Sequence, residues 1–362
     1  MPGKTQRSSN LELLRILCML LIIGDHLTGQ GGIADYTTLP SSFAFCLIGC
    51  GSRIACSVFI LIGGWFLCEQ PYRTRRPLSL WLSLWLYTVP VTLLCRLTGL
   101  DVSLGALRWA AFPASTRQLW FISDYLLLLL CVPLLNRVLR GLPRTAHRGL
   151  LAVLAVPMIF YPTLFGENGI VSDTAWMFLY EYLLAAYLRR YPENRLARLL
   201  QNRAAALVLG LGLPLVNTAI RAVLETRGLT DGKAFQYVAY YRTALGALPN
   251  LLAALALFYL FKNLDLGCVR WVNALSGTTL GVYILHQVPA FRNFLWNGLL
   301  QAQAHHGSVV YTLFAIFAVF FGCAVVDAVR TRLVMRPLEN TKLFTALCEK
   351  GDALAAKITA DD

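Results

Sequence analysis

Ten apolar segments recur along this 362-residue chain, near 11–29, 43–68, 78–98, 118–139, 149–165, 174–190, 203–221, 244–261, 274–295 and 308–330, most of them close to the roughly 20 residues a helix needs to cross a bilayer core. With 57% hydrophobic and only 14% charged residues, the composition is that of a polytopic membrane protein, not of a soluble domain. The expected fold is therefore an all-α transmembrane helical bundle of about ten spans. An even number of spans places both termini on one side.

Lys and Arg decide which side that is. The connections at 69–77, 136–148 and 189–203 carry three, four and five basic residues, whereas those at 30–42, 99–117 and 166–173 carry none, two and none. By the positive-inside rule both termini are cytoplasmic. The formal charge of +13 lies in these short clusters and not in a basic domain, so topology explains it better than nucleic-acid binding. The segment 221–243 breaks the pattern, with Arg221, Arg227, Lys233 and Arg242 on the expected outer face beside Glu225 and Asp231. It reads as a solvated loop, or as a basic surface that meets an anionic polymer. Residues 1–335 form the expected membrane domain and 336–362 a short, mildly amphipathic cytoplasmic tail. Lys4 and Arg7 before an apolar run resemble a secretory signal, but Arg15, Asp25 and His26 inside that run, and the lack of a small-x-small exit, make it an uncleaved first span.

Several chemistries have no footing in the sequence. There is no Walker-type phosphate loop, no G-x-S-x-G elbow and no dinucleotide fingerprint. The ten cysteines are scattered, mostly in apolar runs, and Cys46, Cys50 and Cys56 have no histidine near them, so neither a metal site nor a structural disulfide is expected. Gly277 and Gly281 form a small-xxx-small pair suited to close helix packing.

Within the first segment, Arg15 and His26 stand eleven positions apart. At about 100° and 1.5 Å per residue, they fall within some 20° of each other and about 16.5 Å apart along one helix face. Each would cost roughly 2.5–3.5 kcal/mol against lipid, so the stripe belongs in a polar cavity inside the bundle. His26 can act as a general base near neutral pH, or it can simply hydrogen-bond at the membrane boundary. Asp25 points about 100° away and is no obvious partner for it. Arg15 fits two roles equally: snorkelling to the interface, or pairing with the phosphate of a cytoplasmic donor.

Other candidates follow the same logic. Arg73, Arg75 and Arg76 satisfy positive-inside topology and also suit a phosphate site. Arg53 either anchors the outer end of its span or faces an acceptor. Asp124, Glu181, Asn217, Asn250, His286 and Gln287 are costly against lipid and are expected to point into the bundle, His286 either bonding between helices or serving a site. Trp120 and Tyr125 fit an interfacial belt or a substrate wall.

Four stretches, in order, carry a resemblance: Asn-Leu-Glu-Leu-Leu-Arg15 followed by ten residues and His26; Val-Phe-Ile-Leu-Ile-Gly-Gly-Trp-Phe-Leu at 58–67; Leu-Trp120-Phe-Ile-Ser-Asp-Tyr125; and Leu-Gly-Val-Tyr-Ile-Leu-His286. Together they resemble the acyltransferase 3 family of bacterial integral-membrane acyltransferases. The ordered set, and not any single stretch, carries the resemblance. Gly63 departs from the pattern, which commonly has serine there, and Asp25 has no assignable place in it.

The resemblance implies transfer of an acyl group, usually acetyl, from cytoplasmic acyl-coenzyme A to a hydroxyl of a cell-surface or lipid-linked carbohydrate at the bacterial inner membrane. Carried over, His26 is the catalytic base and Arg15 its motif partner. Arg73, Arg75 and Arg76 would contact coenzyme A, while Arg53, Trp120, Tyr125 and His286 would face the acceptor. Acyl-coenzyme A is then the donor substrate and no tightly bound cofactor is expected. The other expected partners are the hydroxyl acceptor, the lipid bilayer and proteins of glycan assembly. Some relatives add a soluble domain that passes the acyl group onward; none follows the bundle here, so the acceptor is expected to enter the bundle or a separate protein to receive the group. A rival reading is a transporter of a small amino acid, like the family-like membrane half of vancomycin-resistance serine racemases, with the polar stripe lining its path. A third is a non-catalytic scaffold.

Overall fold

A computed structural model describes residues 8–167 and 174–360, so Lys4 and Arg7 of the signal-like N-terminus and most of the 166–173 connection lie outside the described residues. Among the described residues there is no strand. The helices are α1 (Asn10–Gln30), α2 (Leu39–Ile48), α3 (Ser52–Leu67), α4 (Arg75–Leu97), α5 (Leu104–Ala111), α6 (Trp120–Gly141) and α7 (Arg144–Phe165). They continue with α8 (Thr174–Arg190), α9 (Arg195–Gln201), α10 (Arg203–Thr226), α11 (Lys233–Thr243), α12 (Leu248–Lys262), α13 (Arg270–Ser276), α14 (Thr279–Gln287), α15 (Pro289–Asn293), α16 (Val309–Glu339) and α17 (Lys342–Thr359). The chain is an all-α bundle of a multi-pass membrane protein.

Among the described residues, seven helical stretches are long and apolar enough to cross a membrane: Leu39–Leu67, α4, α6, α7, α10, Lys233–Lys262 and α16. Three of the ten expected segments fall short by that measure, each for a visible reason. Helix α1 is interrupted by Glu12, Arg15 and Asp25, α8 has only 17 described residues, and the 274–295 segment breaks between α13 and α14 and again before Pro289. These three are among the most interior elements. A helix surrounded by protein needs no uniformly apolar face.

The core forms where α3 lies against α1, α8 and α12. Gly64 permits this approach: a Cβ there would stand 3.0 Å from the Ala185 Cβ and 3.3 Å from the Tyr182 Cα. Ala253, Ala254 and Ala256 of α12 are fully buried for the same reason, because small side chains bring backbones together. At the periphery the pattern inverts. Helix α16 exposes Val310, Phe314, Phe317, Phe321 and Val325, spaced so that they share one outward face, which is the lipid-facing pattern.

Local chemistry sets several boundaries. Thr38, Ser103, Asn194, Ser308 and Thr341 each accept a backbone N–H at the start of the helix that follows, covering donors otherwise left open. The basic segment 221–243 is not a solvated loop. Most of it is helical, in the end of α10 and in α11, and two of its arginines are consumed inside the protein. Arg221 donates to Glu225 at 3.0 Å and lies over the Tyr36 ring, while Arg242 donates to Asp25 at 2.8 Å. Glu225 on the same helix, Asp25 of α1 and the Tyr36 ring partner these two arginines, while Arg227 and Lys233 stay exposed.

Candidate active site

Helix α1 carries Arg15 and His26 on one face, and the face is turned inward. Arg15 is half-buried, and its guanidinium donates to both oxygens of Glu12 at 3.2 Å, one turn earlier on the same helix. Glu12 is itself buried and also accepts from the Ser276 hydroxyl of α13. The arginine is therefore held in place instead of snorkelling freely.

Arg15 opens onto a cavity of about 360 Å³, whose walls include Phe59, Phe121, Tyr125, Leu280 and Tyr283. A second cleft of about 390 Å³ shares Leu80, Tyr125, Gly277 and Leu280 with the first and adds Arg76 and Arg330. Shared walls make the two one furrow, running from Arg76 past Tyr125 to Arg15 and Tyr283. Tyr125 stacks on Phe121, which meets Tyr283 edge-on at 5.8 Å. The space where the resemblance leads one to expect a serine side chain is taken by Tyr125, whose hydroxyl lies 2.9 Å from the point a Cβ on Gly63 would occupy.

His26 stands just behind the inner wall, its ring centre 6.4 Å from that of Tyr283. Its Nδ1 is 2.9 Å from Nε2 of His286 on α14, and Nδ1 of His286 is 2.6 Å from the Val282 carbonyl. These two contacts fix the proton positions of the neutral pair. A carbonyl only accepts, so His286 carries its proton on Nδ1, and its Nε2 must then accept from Nδ1–H of His26. The lone pair of His26 is left on Nε2, which makes no hydrogen bond among the described residues. His286 is fully buried, and its ring also packs against Trp296 at 6.1 Å.

Two cations lie near His26. Arg53 places its guanidinium 4.8 Å from the centre of the Trp120 ring, and Trp120 in turn packs on Phe121 and Phe178. Arg53 and Arg292 both lie within electrostatic range of the His26 imidazole. Asp25, immediately before His26, is bound by Arg242, whose Nε also donates to the Gly49 carbonyl.

The three arginines that follow α3 separate. Arg76 lines the furrow, Arg75 is taken by Glu339 at 2.7 Å and by the Phe344 ring, and Arg73 is exposed. The buried polar residues mostly have internal partners. Glu181 accepts from Ser57 at 2.5 Å, Asp124 from Arg117 at 2.9 Å, and Gln287 donates to Gln30 at 3.2 Å. Asn250 donates to the Ala244 carbonyl at 2.9 Å, whereas Asn217 is half-buried beside a small polar cavity.

Two features of the site escape sequence reasoning. Glu12 sits at i−3 from Arg15, a spacing that could have flagged an ion pair. Arg330, which no sequence motif singles out, lies over the Tyr87 ring at 4.5 Å and donates to Asp327, which also accepts from the Tyr87 hydroxyl at 2.7 Å. No periodicity links Tyr87 to residues 240 positions later.

A cavity with a held arginine on one wall, and a histidine with a free lone pair behind the Tyr283 wall, bring a cation and a proton acceptor close together. A family model described as an acyltransferase domain, Acyl_transf_3, matches residues 8–328, nearly the whole bundle. The chain belongs to the acyltransferase 3 family. No curated protein and no solved structure matches it. The match covers α1 through most of α16, so all of the Arg15 cavity and most of the adjoining cleft lie within it, while Arg330, Thr331, Met335 and Glu339 lie beyond it.

Proposed function

We propose that the protein is an O-acyltransferase of the bacterial inner membrane, moving an acyl group, most simply acetyl, from acyl-coenzyme A to a hydroxyl of a surface or lipid-linked carbohydrate. The observation that carries this reading is the relay Val282–His286–His26, which leaves His26 with an unprotonated Nε2 and its ring 6.4 Å from Tyr283, a wall residue of the furrow.

In this reading both termini and the arginine-rich face are cytoplasmic. The donor enters there, its phosphates near Arg76 and Arg15 and its thioester toward Tyr283. About 16.5 Å of helix separates Arg15 from His26, a span that suits the extended pantetheine arm. The acceptor hydroxyl approaches His26 from the side of Arg53 and Trp120. As its oxygen attacks the thioester carbonyl, Nε2 takes the hydroxyl proton. The tetrahedral intermediate then expels the coenzyme A thiolate, which recovers that proton from the imidazolium. His286 keeps the His26 ring oriented through both steps, with its own Nδ1–H on the Val282 carbonyl; its role is positioning.

Membrane vesicles given labelled acetyl-coenzyme A and a cell-envelope glycan fraction test the proposal. Label should move to the glycan with wild-type protein and fail to move with His26→Ala at equal expression. Uptake of a small amino acid without acyl transfer would instead favour a transporter, and transfer that survives His26→Ala would overturn the assignment of the base.

A further inference from the structure

Helix α17 (Lys342–Thr359) has three distinct faces, which becomes plain once its residues are set at about 100° apart from Lys342 at zero. The first face meets the protein: Phe344, Cys348, Gly351, Asp352, Ala355 and Thr359, all buried or half-buried, fall between roughly 180° and 280°. The second is apolar and uncovered: Leu343, Leu347, Leu354 and Ile358, all exposed, fall between about 100° and 160°. The third, from about 300° round to 80°, is short or charged and includes Lys342, Ala346, Glu349, Lys350 and Lys357.

The anchors of the helix fix its direction. Near its start, Phe344 packs under the Arg75 guanidinium. In its second half, the Asp352 carboxylate accepts from the Thr74 backbone N–H at 2.6 Å, and Arg137 donates to the Ile358 carbonyl at 2.8 Å. Thr74 stands at the first turn of α4 and Arg137 in the last turns of α6, two antiparallel spans, so these anchors lie at one end of the bundle. An 18-residue helix is about 27 Å long. Tied along its length to that single end, it runs across the bundle's arginine-rich face and not along the spans.

We propose that α17 is an in-plane membrane helix, seated at the headgroup and acyl-chain boundary of the arginine-rich leaflet, with anionic phospholipid as its partner. The order of the faces supports this occupant. Going round the helix, protein, apolar stripe, lysines and open polar surface follow one another, the sequence met by a helix lying against a bundle's flank at the interface. Lys350 and Lys357 border the apolar stripe on the side away from the protein, at the level of lipid phosphate. An apolar face inserted roughly 5–10 Å below the headgroups with basic residues above it is the arrangement of an interfacial amphipathic helix.

The test is brominated-lipid quenching in nanodiscs of full-length protein, with Leu354→Trp and Ala346→Trp compared by difference from wild type, whose eight tryptophans provide the baseline. Both positions are exposed, so neither change burdens the core. The added emission of Leu354→Trp should be blue-shifted and lose most of its intensity in brominated phosphatidylglycerol, while that of Ala346→Trp stays unquenched. Adding Lys350→Gln and Lys357→Gln to the Leu354→Trp protein should weaken quenching in phosphatidylglycerol more than in phosphatidylcholine. Water-like, unquenched emission from Leu354→Trp, equal quenching at both positions, or a stripe shielded by a second copy that cross-links through α17 would overturn the proposal.

Discussion

His26 and His286, 260 residues apart in sequence, stand 2.9 Å apart between Nδ1 and Nε2, and the Val282 carbonyl behind them dictates which nitrogen holds each proton. Removing His286 leaves Nδ1–H of His26 without its acceptor and the ring free to turn or change tautomer. The loss of a buried partner costs about 1–3 kcal/mol, or roughly a 10- to 100-fold fall in kcat at the middle and upper part of that range. Steady-state assays of His286→Ala should show the loss mainly in kcat. If His26 is the base as proposed, His26→Ala should lose more, about 10²–10⁴-fold.

Glu12 holds Arg15 and accepts from Ser276, so its charge sets where the guanidinium points. Glu12→Gln removes a charge-assisted pairing worth about 1.5–3 kcal/mol. The expected result is a higher KM for acyl-coenzyme A with a smaller change in kcat. An unchanged KM would show that Arg15 does not need Glu12 to meet the donor.

The Asp25–Arg242 pair is about four-fifths buried on each side and ties α1 to α11. A double-mutant cycle with Asp25→Asn and Arg242→Gln, read as unfolding midpoints in nanodiscs, should give a coupling of about 0.5–3 kcal/mol. Each single variant strands one partner, so the double variant should be less damaged than the sum of the two.

Gly64 and Gly322 offer a matched contrast. A Cβ on Gly64 would press on Ala185 and the Tyr182 backbone, whereas nothing lies within 4 Å of one on Gly322. Gly64→Ala should therefore destabilise by about 1–3 kcal/mol through overpacking. Gly322→Ala should be neutral, or stabilising by roughly 0.5–1 kcal/mol, because alanine loses less freedom in a helix. Thermal unfolding of the two variants side by side checks both.

The sequence determined what depends on short-range periodicity. Apolar segment length specified helices in a membrane, and the eleven-residue spacing put Arg15 and His26 on one face of α1, because helical geometry is local and repeats every 3.6 residues. The order of motifs pointed to the family for the same reason: they are local strings. What only the tertiary structure decided depends on contacts between distant segments. That His286 serves His26, that Arg75 is spent on Glu339 while Arg76 lines the furrow, that Arg242 belongs to Asp25, and that three charged or broken segments lie inside the bundle are all pairings across tens to hundreds of residues. A side chain's chemistry is fixed by its sequence, but its partner is whatever the packed backbone brings within about 3 Å, and periodicity carries no information about that.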